Sequence, residues 1–83
     1  MDVRERWLGR VQGIFREVLD DDSLEITPET TKENIAQWDS MFQVTLILAI
    51  EREFKVRFSA REAASLITVR GILDQLQARN AHC

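Results

Sequence analysis

The 83-residue chain contains one cysteine, one proline, one histidine, three glycines and no tyrosine. Its only cysteine, Cys83, is the last residue, so neither a disulfide framework nor a cysteine-rich metal site can be built. The lack of disulfides fits a reducing compartment, and the cytoplasm is the expected location. His82 stands beside Cys83, and the tail 80–83 is expected to fray rather than to hold a metal. No run of β-branched and aromatic residues alternates with period two between hairpin turns, so the composition favours helices. No stretch of about 18 apolar residues exists to span a membrane. The first residues, Asp2 to Arg6, are charged and lead into no apolar signal core. Basic residues are outnumbered: the formal net charge is −3. That excludes a general nucleic-acid binder, which needs a cationic face to displace counterions. A small acidic domain points instead to basic protein partners.

Hydrophobic residues make up 45 % of the chain and charged residues 30 %, enough for one small core. A single domain is expected over 1–83, ordered from about 3 to 79. The first helix is predicted from Val3 to Leu19, because Val3, Trp7, Val11, Ile14 and Val18 recur at helical spacing. Gly9 and Gly13 lie on one side of it, where another backbone could approach. Asp20-Asp21-Asp22 ends the helix, since acidic side chains oppose the dipole at a C-terminus. The same run fails as a calcium loop. Leu24 and Glu25 occupy an oxygen-ligand position and the turn-glycine position, and Thr31 stands where the closing glutamate belongs.

A long loop follows to Trp38, with Leu24, Ile26, Ile35 and Trp38 as apolar pins. Loops of this length in small domains are uncommon and often functional. Asp39 is an N-cap residue by type, and Ser40 then opens a second helix with its hydroxyl at the helix mouth. That end of a helix has free N–H donors and a partial positive charge, so it tolerates a phosphate. The second helix, Ser40 to about Glu53, has two apolar stripes. Leu46, Ile47, Ile50 and Phe54 form one; Met41, Val44 and Leu48 form the other, beside Ser40. One stripe suffices to join a bundle, so the second is either covered or a contact surface. Ser59-Ala60-Arg61-Glu62 is a capping box that starts a short helix reaching about Ser65. Thr68 caps a last helix with the stripe Val69, Ile72, Leu73, Leu76. The architecture predicted is a small all-α four-helix bundle, three longer helices and one short one, with a long loop between the first and second.

From Phe15 to Leu76 the sequence resembles the acyl carrier proteins. Asp39-Ser40-Met41 is similar to that family's Asp-Ser-Leu signature. Leu46-Ile47-Leu48-Ala49-Ile50-Glu51-Arg52-Glu53-Phe54 resembles its apolar helix ending in acidic residues and phenylalanine. Ile67-Thr68-Val69 is similar to the start of its last helix. The resemblance implies that Ser40 carries 4′-phosphopantetheine, transferred from coenzyme A by a separate phosphopantetheinyl transferase, with Asp39 as the cap beside it. It implies a monomeric carrier rather than an enzyme, one that presents acyl thioesters to loading and acyl-transfer or elongating enzymes. Met41, Phe42, Val44, Leu48 and Glu51 are the expected partner-docking residues, and Leu46, Ala63, Leu66 and Ile67 the expected lining of an acyl pocket. Members that serve general fatty-acid synthesis usually have acidic residues along this helix. Here Phe42 and Thr45 stand at two such positions and Arg52 interrupts the run, which points to a specialised lipid, polyketide or saccharide-modification pathway. Trp38, unusually bulky before Asp39, either shields the root of the arm or fills the gap under the loop.

Two other readings use the same residues. A peptidyl or aminoacyl carrier would usually show a glycine-rich approach to the serine, which this chain lacks. A helical interaction module would use the apolar stripe to bind a partner helix and never take an arm. No Ser/His/Asp or Cys/His set is present to support catalysis by the chain itself.

Overall fold

The computed structural model describes residues 3–79 and contains four helices: α1 (Val3–Leu19), α2 (Ser40–Phe54), α3 (Ala60–Ser65) and α4 (Val69–Ala78). No strand occurs among these residues, only an isolated bridge between Thr31 and Thr68. No helix among them is long and apolar enough to cross a membrane. The tail expected to fray, 80–83, lies outside the described residues.

The helix boundaries follow from local chemistry. Asp39, Ser59 and Thr68 each sit in extended backbone and accept an N–H of the following first turn. At Ser59 the capping box is complete in both directions, with the Glu62 carboxylate accepting the Ser59 N–H at 2.8 Å. α1 ends where the acidic triplet begins: Asp20 turns left-handed at φ 53°, and the Asp21 N–H donates to the Arg16 carbonyl at 3.0 Å. α2 ends in the same way at Lys55, φ 56°, whose N–H donates to the Glu51 carbonyl.

Buried side chains from α1, α2, α4 and the loop meet in one core. Trp7, Val11 and Phe15 come from α1; Leu46, Ile47, Ile50 and Phe54 from α2; Val69, Ile72, Leu73 and Leu76 from α4. Fully burying a residue such as Phe54 contributes about 1.5–3 kcal/mol. By contrast α3 contributes no buried residue, so apolar burial does little to hold it.

The long loop is pinned as its apolar residues predict. Ile26, Ile35 and Trp38 are buried and Leu24 is half-buried. Its backbone is tied at both ends. The Gln12 side chain on α1 accepts the Ile26 N–H at 2.9 Å. At the other end, Lys32 donates to the Ile67 carbonyl at 3.0 Å, and Val69 and Arg70 donate to the carbonyls of Thr30 and Pro28 at 2.9 and 3.0 Å. The loop thereby fixes the α3–α4 link and the start of α4. One expectation fails: Gly9 and Gly13 face open space, with nothing within 4 Å of an added Cβ. They lie on the exposed side of α1, opposite the Trp7/Val11/Phe15 stripe, so no backbone packs on them.

Candidate functional site

Three neighbours in sequence, Trp38, Asp39 and Ser40, take three different roles. The Trp38 indole is buried against Phe15 and Phe42, with ring centroids 5.2 and 5.8 Å away and edge-to-face geometry. The third pair, Phe15 and Phe42, is 5.3 Å apart. Such pairs add about 0.5–1.5 kcal/mol each beyond their burial. This trio fixes the start of α2 on α1, and Trp38 fills the space under the loop. Asp39 accepts the Phe42 N–H through Oδ1 at 2.9 Å, while its carbonyl accepts the Gln43 N–H at 2.9 Å. Ser40 is the first residue of α2 and is exposed. Its hydroxyl stands at the end of the helix where N–H groups lack an i−4 carbonyl.

Gln43 joins these residues to the rest of the bundle. Its Oε1 accepts the Trp38 indole N–H at 2.6 Å. Its Nε2 donates to the carbonyls of Ala63 and Leu66 at 2.8 and 2.9 Å. One side chain thus ties the loop, α2, the end of α3 and the α3–α4 link together. Nothing in the sequence around Gln43 marks it for this role, since it is a lone polar residue in an apolar stretch.

A mostly apolar cavity of about 510 Å³ opens between α2 and α3 beside Ser40. Val44, Ile47 and Leu48 form one wall, and Ala60, Ala63, Ala64 and Ile67 the other; Lys32, Trp38, Asp39, Ser40 and Gln43 complete it. Of the four residues expected to line an acyl pocket, Ala63 and Ile67 border this cavity. Leu46 and Leu66 do not. Both are buried in the core: Leu46 belongs to the α2 stripe with Ile50, and Leu66, the C-cap of α3, turns its side chain towards Gly71 at the start of α4. The small side chains of α3 leave the room that larger ones would fill.

The exposed flank of α2 also differs from expectation. Met41, Val44 and Leu48 are 80 %, 61 % and 57 % exposed, so the second stripe is uncovered. Phe42 is not part of it. At 5 % exposure it is a core residue, one helical turn before Leu46 and two before Ile50, and it extends the buried stripe. Glu51 is half-buried, and its Oε2 accepts the Phe58 N–H at 2.8 Å. Its carboxylate serves the α2–α3 connection rather than facing outward.

The chemistry available here is that of a presented hydroxyl. No group of three His, Cys, Asp or Glu side chains among the described residues could hold a metal ion. Asp39 uses a carboxylate oxygen as the cap, and the only other ionisable side chain at the cavity is Lys32. An exposed alcohol, free helix N–H donors and an adjoining apolar cavity fit a phosphodiester-linked arm with an apolar cargo.

Residues 9–76 match the family described as the phosphopantetheine attachment site. The chain is 36 % identical over 67 residues to an acyl carrier protein of Thermosynechococcus vestitus, covering 81 % of this chain and 83 % of that one. It is 33 % identical over 72 residues to an acyl carrier protein of Trieres chinensis, covering 87 % and 90 %. Among solved structures it resembles the holo acyl carrier protein of Geobacter metallireducens. The TM-score is 0.74 at 36 % identity, covering 88 % of this chain and 87 % of that one.

Proposed function

The chain belongs to the acyl carrier protein family, and from that premise we propose that Ser40 is the residue that takes the 4′-phosphopantetheine arm. The observation that supports this most is the place of Ser40: exposed, first in α2, and on the rim of the apolar cavity. As a carrier the protein is not an enzyme. The bound group supplies a thiol that holds an acyl chain as a thioester. The protein's own residues do the positioning. Asp39 caps α2 and so holds the serine at the helix mouth, and the first-turn N–H donors favour the anionic phosphodiester. A phosphopantetheinyl transferase is the first partner, and acyl-loading and acyl-transfer enzymes follow.

The finer reading is a monomeric cytoplasmic carrier dedicated to a specialised lipid, polyketide or saccharide-modifying pathway. Its support is the composition of the α2 flank, where Met41, Val44 and Leu48 are exposed and Thr45 and Arg52 stand in place of carboxylates. In this reading Val44, Leu48, Ala63 and Ile67 contact the cargo, and Met41, Val44 and Leu48 contact the enzymes.

Incubation with coenzyme A and a broad-specificity transferase, followed by intact-mass measurement, tests the attachment. The expected result is a gain of one phosphopantetheine that disappears in Ser40→Ala. No gain in the wild-type chain would favour an arm-free interaction module, and a gain retained by Ser40→Ala would move the site elsewhere.

A further inference from the structure

The net charge of the chain hides a strong segregation. Residues 20–39, the connection from α1 to Asp39, contain seven Asp and Glu against one Lys, or −6; residues 40–79 contain four acids against six bases, or +2. Within α2 the imbalance sharpens. The Glu51 carboxylate accepts the Phe58 N–H, and the Glu53 carboxylate pairs with Arg10. Both acids of the helix are therefore held by the protein itself. Arg52 and Lys55 are exposed and have no ion-pair partner among the described residues; Glu17 and Glu53 border the shallow recess beside Arg52 without pairing with it.

Met41, Val44, Thr45, Leu48 and Arg52 follow at helical spacing and share one exposed face, with Lys55 just beyond it. The face begins beside Ser40, is apolar through two turns, and ends in two cations. Exposed apolar residues joined into one stripe mark a contact surface. Cations at its end that are not held in an ion pair select the partner's sign, since like charges brought together oppose docking.

We propose that this face docks on enzymes that present an apolar recess flanked by carboxylates opposite Arg52 and Lys55, not on a basic surface. The overall acidity of the chain points the other way, but it resides on the 20–39 connection. This inference rests on the carrier reading and deepens it by naming the chemistry of the partner surface.

A charge exchange tests it. The probes are an elongating synthase whose carrier-facing surface is basic, and a variant of it with two of those cations changed to glutamate. The arm-bearing wild-type chain and its Arg52→Glu/Lys55→Glu variant are each presented to both, with acyl-transfer kcat/KM measured at low and high salt. The wild-type chain is expected to favour the glutamate-bearing synthase by about three- to tenfold, and the double variant to reverse that order, with the differences shrinking in salt. A wild-type preference for the basic synthase, or changes under twofold on both exchanges, would overturn the proposal. Matching thermal melts of the two chains exclude an unfolding effect. Intact mass keeps the two readings apart. Full arm loading without a charge effect refutes the docking proposal alone, whereas failure to load refutes the carrier reading and the docking proposal with it.

Discussion

Replacing Gln43 by leucine keeps the side-chain volume similar and removes three hydrogen bonds at once. The wild-type side chain satisfies the Trp38 indole N–H and the carbonyls of Ala63 and Leu66 at 2.6–2.9 Å. Each such bond contributes about 0.5–1.5 kcal/mol net, and a buried partner left unsatisfied costs about 1–3 kcal/mol. The indole is buried with Trp38, whereas the carbonyl of Ala63, a partly buried residue, can recruit water. The expected destabilisation is therefore about 2–3 kcal/mol, below the simple sum. For a domain of this size that lowers Tm by roughly 8–24 °C. The loss is not spread evenly. Since α3 has no buried residue, it is held by Gln43, by the Arg79–Glu62 ion pair and by its caps, and it is the element that loosens. Hydrogen exchange in Gln43→Leu should accelerate over 60–66 while the core of α1 and α4 changes only with global stability. A Tm within about 2 °C of wild type, with unchanged exchange in α3, would refute the view that this side chain latches α3 against α2.

Phe42→Ala should cost about 3–5 kcal/mol and Met41→Ala less than about 0.5 kcal/mol in urea unfolding, because one ring is in the core and its neighbour is in solvent. Equal effects would contradict the orientation of α2. Removing the cap with Asp39→Ala should cost about 0.5–2 kcal/mol, while Asp39→Asn retains most of it, as read from the same urea curves. The Glu62 carboxyl is held below its ordinary value of 4.5, first by the Ser59 backbone N–H and then by Arg79. A carboxylate with a depressed folded pKa stabilises above its unfolded value, and that contribution is lost as pH falls through the lower folded value. Stability should thus decline below about pH 4.5, and Glu62→Gln should flatten that decline in melts taken from pH 6 to 3.

Helix limits were legible because the residues that set them act locally. Asp39, Ser59 with Glu62, and Thr68 are caps by type and by spacing, and each cap bond forms. The loop pins were legible for a similar reason: isolated apolar residues in a polar run have one place to go. What escaped depends on the direction of a helix face relative to partners distant in sequence. Phe42 follows Met41 by 100° on the wheel, and only the aromatic contacts from Phe15 and Trp38 decide that it turns inward. The clue was its i−4 relation to Leu46. Glu51 looked like a surface acid because its acceptor role depends on the path of the chain at Phe58. Leu46 and Leu66 lie close in sequence to the cavity walls, yet belong to the buried core and do not line it. Gln43 gave no sign at all, since its three partners lie 5, 20 and 23 positions away.

The protein purified from its native host, digested and fragmented by mass spectrometry, puts the account to its hardest trial. The expected spectrum locates one phosphopantetheine, with or without an acyl group, on the Ser40 hydroxyl in the peptide that spans Asp39 to Met41. A fully unmodified Ser40 peptide, or an arm found on any other residue, would contradict the claim that the mouth of α2 is where this carrier holds its cargo.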